Sequence, residues 1–229
     1  MLVAAHKLDR VIRHIVWDWN GTLFDDQDLV VATTNFSLRS IGIDRETTYA
    51  EYRLQYRRPL SEFYRLIAGR AVGDHEWVLL DAAFGQYYDS HRSEYNLHRD
   101  ALAAMDAWAP RGQSLLSMYG HDKLTEHLGE LGITARFSLI DGRPPALDLG
   151  PKAKYLAAHM MRLRAADPTL EPDQVAIVGD CIDDAQAALG NGATAVLFSG
   201  GTTDRAVLEA AGLPVVDTLI EAVNVLSAL

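Results

Sequence analysis

At 229 residues the chain is long for one domain and short for two full ones, so a core with a smaller insertion fits it. Its composition is ordinary globular, 48% hydrophobic and 23% charged, and its net charge of −10 argues against nucleic-acid or membrane-surface partners. The single cysteine, Cys181, excludes a disulfide framework within the chain; residues 1–10 lack the apolar core of a signal peptide and no apolar run approaches membrane-spanning length, so a cytoplasmic protein is expected.

The first element is Ile15-Val16-Trp17, a short apolar run that reads as a strand buried on both faces. It ends at Asp18, and ligands of open parallel α/β sheets bind at the carboxyl ends of strands. An aspartate there has two readings, a cap on the following turn or a functional carboxylate. Gly21 allows a tight turn and close backbone approach to a ligand. From about Asp25 to Arg99 no strand-like run occurs. Leu29, Val30, Phe36, Leu38 and Ile41 share a helical face, as do Phe63, Leu66 and Ile67, and then Trp77, Leu80, Phe84 and Tyr87. Strands are expected next at Ser114–Met118, Phe137–Ile140, Val175–Asp180 and Thr194–Phe198, with an edge strand at Pro214–Asp217. Helices alternate with them over roughly Asp122–Leu131, Lys152–Ala165, Asp184–Leu189, Asp204–Ala211 and Leu219–Leu226. The alternation predicts an α/β fold, a Rossmann-like doubly wound parallel sheet. The helical insertion after the first strand hangs over the strand ends, where a lid or specificity domain belongs.

Three further segments carry chemistry. In Gly179-Asp180-Cys181-Ile182-Asp183-Asp184 three carboxylates crowd a strand-to-helix junction. One acid would serve as a helix cap; three beside Asp18 make a negative site that needs a cation, and hard carboxylate oxygens select Mg²⁺. In Gly150-Pro151-Lys152-Ala153-Lys154 a lysine stands at a helix start, against the dipole, which points it at a phosphate or carboxylate or else into solvent. Lys152 is better placed than Lys154, because Tyr155 and Leu156 begin the apolar face. Ser117, at the end of the second strand, offers a hydroxyl to a phosphate oxygen.

In this order the four pieces resemble the haloacid dehalogenase superfamily, over nearly the whole chain. Asp18 to Thr22 looks like the family's first motif, with Asp-x-Asp-Gly-Thr changed to Asp-Trp-Asn-Gly-Thr; Ser117 matches the second, Lys152 the third, and Gly179-Asp180 with Asp183 and Asp184 the fourth. The resemblance implies a core of residues 1–24 and 100–229 and a helical cap of the family's first type over residues 25–99. The layout is similar to the phosphoglycolate-phosphatase and phosphonatase branch. It also implies a mechanism: Asp18 attacks phosphorus to form an aspartyl-phosphate. On the same resemblance Mg²⁺ would be held by Asp18, the main-chain carbonyl of Asn20 and Asp180 or Asp184. Lys152, Ser117 and backbone N–H groups around Trp19, Gly21 and Thr22 stabilise the transferring group.

Asn20 stands where the family's phosphatases carry an aspartate that protonates the leaving group and later activates water. An amide does neither, at a cost of ~10²–10⁴ in rate. Three readings follow: a phosphatase with a good leaving group or a substitute acid such as His121; a phosphonatase relative; or a protein that binds a phosphorylated ligand without turnover. Phosphonatase chemistry uses a cap lysine, and between Leu8 and Asp122 the chain has none. The insertion is rich in arginine, and Arg57-Arg58-Pro59 between two helical segments is placed either to recognise a small anionic phosphorylated metabolite or as a solvated face.

Overall fold

The structure, a computed structural model, describes residues 11–145 and 150–229. Residues 1–10, on which the expectation about signal peptides and the start of the first core segment rest, lie outside the described residues. Among those described, the strands are β1 (His14–Trp17), β2 (Gly112–Gly120), β3 (Ile140–Arg143), β4 (Val175–Gly179), β5 (Thr194–Phe198) and β6 (Val215–Val216). They form one sheet in the order β3-β2-β1-β4-β5-β6, with every neighbouring pair parallel.

Four helices follow β1 before the one that leads into β2: α1 (Gln27–Ser40), α2 (Tyr49–Gln55), α3 (Leu60–Ala68) and α4 (Asp74–His91). After them come α5 (Ala101–Trp108), α6 (His121–Glu130), α7 (Ala153–Ala166), α8 (Ile182–Gly190), α9 (Arg205–Glu209) and α10 (Leu219–Ser227). The period-two alternation of the central strands sorts their side chains between two layers. Ile15, Trp17, Ala176 and Val178 face the layer built from α5, α6 and α10, and Val16, Val175 and Ile177 face α7 and α8. Among the described residues no helix is long and apolar enough to cross a membrane.

The chain enters and leaves the four-helix insertion at one place. Phe24 and Leu97 form an antiparallel bridge, the Asp25 N–H donates to Asn96 O at 2.9 Å and the His98 N–H to Leu23 O at 2.9 Å.

The third strand differs from its expected position at Phe137–Ile140. The ladder starts at Ile140 and runs to Arg143, after a 3₁₀ turn at Thr134–Arg136. Its Ile-Asp-Gly-Arg sequence hides it from an apolar-run criterion, because Asp141 is buried by the company it keeps. His159 on α7 bonds Asp141 at 2.7 Å, and Arg162 pairs with the same carboxylate. The His159 ring also meets Ser114 Oγ at 2.8 Å, and Ser114 Oγ meets His14 Nε2 at 2.8 Å.

Burial lowers the His14 pKa to about 4, with help from the charge of His159. A histidine depressed in the folded state contributes stability that is complete above its unfolded pKa near 6.5 and is lost as pH falls toward 4. Between pH 7 and pH 5 this one group is expected to remove about 2 kcal/mol of unfolding free energy. Urea titrations at the two pH values check it: His14→Gln should lose less over that interval than wild type, and equal losses would assign the acid sensitivity elsewhere.

Candidate active site

β1 has β2 on one side and β4 on the other, so the connections that follow β1 and β4 part at the carboxyl edge and leave a crevice. Asp18 follows the last residue of β1, and Asp180 the last of β4. The Asp18 N–H still donates to Val178 O at 2.9 Å, which pins it to the sheet. The turn beyond is anchored from below: the Trp19 ring stacks on Phe24 at 5.2 Å and meets His127 edge-on. Thr22 and Phe24 both donate N–H groups to Trp19 O. Gly21 has φ of 71°, and a Cβ there would lie 2.5 Å from Asp180 Oδ2, so glycine is required twice over.

Asp18, Asp180 and Asp184 bring carboxylate oxygens within 4.8 Å of one another, and all three side chains are buried. Asp180 is held by Thr22 Oγ1 at 3.0 Å, the Thr202 N–H at 2.6 Å and Thr202 Oγ1 at 2.5 Å. Asp184 sits in the first turn of α8 and accepts the Cys181 N–H at 3.2 Å. Gly179 and Gly201 let the backbone approach: a Cβ on either would come 2.3 Å from Asp184 or Asp180 side-chain atoms.

Lys152 occupies the residue before α7 and is 3% exposed. Its ammonium donates to Asp18 Oδ1 and to Asp184 Oδ1, each at 2.6 Å, and its N–H donates to Asp183 Oδ2 at 2.9 Å. Lys154 lies over the Tyr155 ring and does not reach the cavity. Burial alone would lower the lysine pKa, but the charges of Asp18 and Asp184 outweigh it and hold the ammonium protonated. Burial raises Asp18 to about 7 against the pull of Lys152, with Asp184 and Asp180 adding to the rise. Burial and Asp184 push Asp180 up to about 6. Three carboxylates against one ammonium leave excess negative charge among hard oxygen donors, and that donor set fits a divalent cation.

Asn20 is fixed by two neighbours. Its Nδ2 donates to Asp26 Oδ2 at 2.6 Å and to the Tyr88 hydroxyl at 2.7 Å, and Tyr88 in turn donates to Asp26 Oδ2 at 2.6 Å. The reverse amide orientation would set Asn20 Oδ1 against a carboxylate oxygen, so the network itself selects this one. Both amide hydrogens are thereby committed, and Oδ1 faces Ser117, whose hydroxyl lies at 3.4 Å. Asp26 was not among the residues singled out in the sequence. It is fully buried, also accepts the Gly21 N–H at 2.8 Å, and burial raises its pKa to about 6 against those hydrogen bonds.

A cavity of about 290 Å³ opens above these groups, bounded by Asp18, Asn20, Ser117, Lys152, Asp180 and Asp184 at one end and by the insertion helices at the other. Ser117 Oγ accepts the Tyr119 N–H at 3.0 Å. Trp19, Gly21 and Thr22 shape the floor without lining the cavity, and the Gly21 N–H is taken by Asp26 and by Phe24 O. The two neighbouring arginines part company. Arg58 lines the cavity, bonding Gly150 O at 3.1 Å and standing 3.7 Å from Asp183. Arg57 is exposed and folds back onto Gln55 O at 2.8 Å, outside the cavity. His121 is also exposed, with Nδ1 accepting the Gly142 N–H at 3.2 Å, and does not line the cavity.

Residues 151–222, which contain Lys152, Asp180 and Asp184, match the family model described as HAD-hydrolase-like. A protein of Clostridium acetobutylicum described as a predicted phosphatase superposes with a TM-score of 0.81 at 17% identity, covering 96% of this chain and 100% of that one. The chain has the haloacid dehalogenase-like fold. A haloacid dehalogenase-like family protein of Streptococcus pneumoniae superposes with a TM-score of 0.77 at 16% identity, covering 94% and 98% of the two chains. A Haemophilus somnus protein described as a predicted phosphoglycolate phosphatase does so with a TM-score of 0.72 at 17% identity, covering 93% and 97%. No curated protein sequence matches the chain.

A divalent cation among Asp18, Asp180 and Asp184 is expected to stabilise the folded protein by up to about 3 kcal/mol at one hundred times its dissociation constant. For a chain of this size that corresponds to a melting-temperature rise of ~2–4 °C per kcal/mol. Calorimetric melts of chelator-treated protein with and without Mg²⁺ measure it. Asp180→Asn should abolish the rise, and an undiminished rise in that variant would put the cation elsewhere.

Proposed function

We propose that the protein hydrolyses the phosphate monoester of a small organic molecule through an aspartyl-phosphate on Asp18. The observation that supports this best is the buried Lys152 ammonium, 2.6 Å from both Asp18 Oδ1 and Asp184 Oδ1 at the carboxyl edge of the sheet. In this reading Asp18, Asp180, Asp184 and the main-chain carbonyl of Asn20 hold Mg²⁺, which when bound supplies the charge neutralisation that lets a dianionic phosphate approach a carboxylate. Lys152 favours the ionised form of Asp18, whose burial otherwise drives it toward protonation. The bond from Asp18 to phosphorus forms as the bond from phosphorus to the ester oxygen breaks, the departing alkoxide taking its proton from solvent; water then attacks the acyl phosphate, returning the Asp18 carboxylate and releasing inorganic phosphate. Lys152 and the Ser117 hydroxyl stabilise charge on the transferring group. Residues 25–99, with helices α1–α4, act as a cap that closes the cavity and selects the organic part of the substrate.

Asn20 supplies no proton to the leaving oxygen, because its amide does not titrate and both its hydrogens serve Asp26 and Tyr88. The same observation favours a second reading, a protein that binds a phosphorylated metabolite with little or no turnover. A phosphonatase is disfavoured: the insertion has no lysine, and Lys123 at the cavity is half exposed and ion-paired with Asp89 at 3.8 Å and Glu126 at 3.3 Å.

A phosphate-release screen over a metabolite panel, with and without Mg²⁺, separates these readings. Asp18→Asn is expected to lose all turnover, and surviving activity would remove the nucleophile assignment. Asn20→Asp places a carboxyl beside Asp26, which favours its protonated form, and should accelerate hydrolysis of alkyl phosphates by ~10²–10⁴. Equal or slower turnover in Asn20→Asp would show that position 20 is not where the missing acid belongs.

A further inference from the structure

In the phosphatase reading the polar end of the cavity takes the phosphate, and the remainder must receive the organic group. Its far wall is made of rings. Phe63 is 1% exposed and Trp77 8%, yet both line the cavity, as do Tyr52, Tyr64 and the half-buried Phe84. These rings brace one another edge to face: Tyr64 on Trp77 at 5.1 Å, Phe63 on Tyr64 at 5.4 Å and Tyr52 on Phe63 at 4.9 Å. Phe84 stacks on Tyr88 at 5.9 Å, next to Asn20. Such a wall is rigid before any ligand arrives, so little order is lost on binding.

The charges around the cavity point the same way. Apart from Lys152, the cationic side chains on its lining are Arg58, Arg143 and Lys123. Each already faces an acid: Arg58 faces Asp183 at 3.7 Å, Arg143 faces Asp81 at 3.6 Å and Lys123 faces Asp89 at 3.8 Å. A carboxylate or second phosphate on the substrate would have to leave water for a surface of apolar rings and already matched charges. An uncharged apolar group meets no such penalty and gains by burial against the rings.

Resting on the phosphatase reading, we infer that the substrate is the phosphate monoester of an uncharged, apolar alcohol of about one aromatic ring in size. Trp77, Phe63 and Phe84 determine that specificity. The cavity, at about 290 Å³, holds a phosphate and a single ring and lies at the small end for small-molecule sites.

Three primary alkyl esters test this without a large change in the leaving oxygen: 2-phenylethyl phosphate, ethyl phosphate and phosphoglycolate. The expected order of kcat/KM is phenylethyl first, by about tenfold or more over ethyl and chiefly through KM, with phosphoglycolate last. Phe84→Ala should collapse the phenylethyl-to-ethyl ratio toward one. Binding of 2-phenylethylphosphonate and ethylphosphonate, followed calorimetrically, needs no turnover and should differ by about tenfold or more. Asp18-dependent turnover with phosphoglycolate preferred, or with the three esters equal, overturns the substrate class and leaves the phosphatase reading intact. Discriminating phosphonates with no phosphate release from any ester would sustain the ligand class and defeat hydrolysis. Equal or absent binding of the two phosphonates overturns the ligand class.

Discussion

The site is organised around one ammonium group buried between two carboxylates. Lys152 reaches Asp18 at the end of β1 and Asp184 in α8, while its main-chain N–H holds Asp183. Three pieces of chain distant in sequence are thereby tied to a single point. Take the ammonium away and the carboxylates that remain are buried like charges without a cationic partner, a costly arrangement. The neighbouring geometry serves the same contact. Gly21, Gly179 and Gly201 allow main chain to press against Asp180 and Asp184, and Thr22 and Thr202 fasten Asp180 so that it does not turn toward Lys152.

Position 20 is a study in how polarity is set by surroundings. An asparagine amide is both donor and acceptor, but Asp26 and Tyr88 take its donors and leave an acceptor on the cavity side. Negative charge near this position is not lost from the chain; it resides on Asp26, which Asn20 separates from the cavity, since Asp26 itself does not line it. The site therefore keeps a carboxylate next to position 20 while presenting an amide carbonyl to whatever binds.

Much of this was legible in the sequence. β1 and β4 announce themselves because strands buried on both faces read as unbroken apolar runs, and their terminal aspartates stand out against them. Lys152 was legible from its misfit with the helix dipole, which the carboxylates around it explain. β3 lies later than its apolar run because its buried aspartate depends on His159 and Arg162, partners supplied by a later helix. Arg57 and Arg58 could not be told apart, since adjacent residues in a loop point in directions that only the fold decides. Asp26 escaped notice because Asp25-Asp26 before a helix looks like ordinary capping acid, and its partner Tyr88 is 62 residues away.

The bridge between Phe24 and Leu97 gives the insertion a single doorway. A loop that departs and returns through adjacent hydrogen-bonded residues presents the sheet with the same two ends whatever lies beyond them. Closing such a loop costs little more when it is lengthened. The helices over the cavity can therefore change in length without moving the two chain ends that meet the sheet beside Asp18.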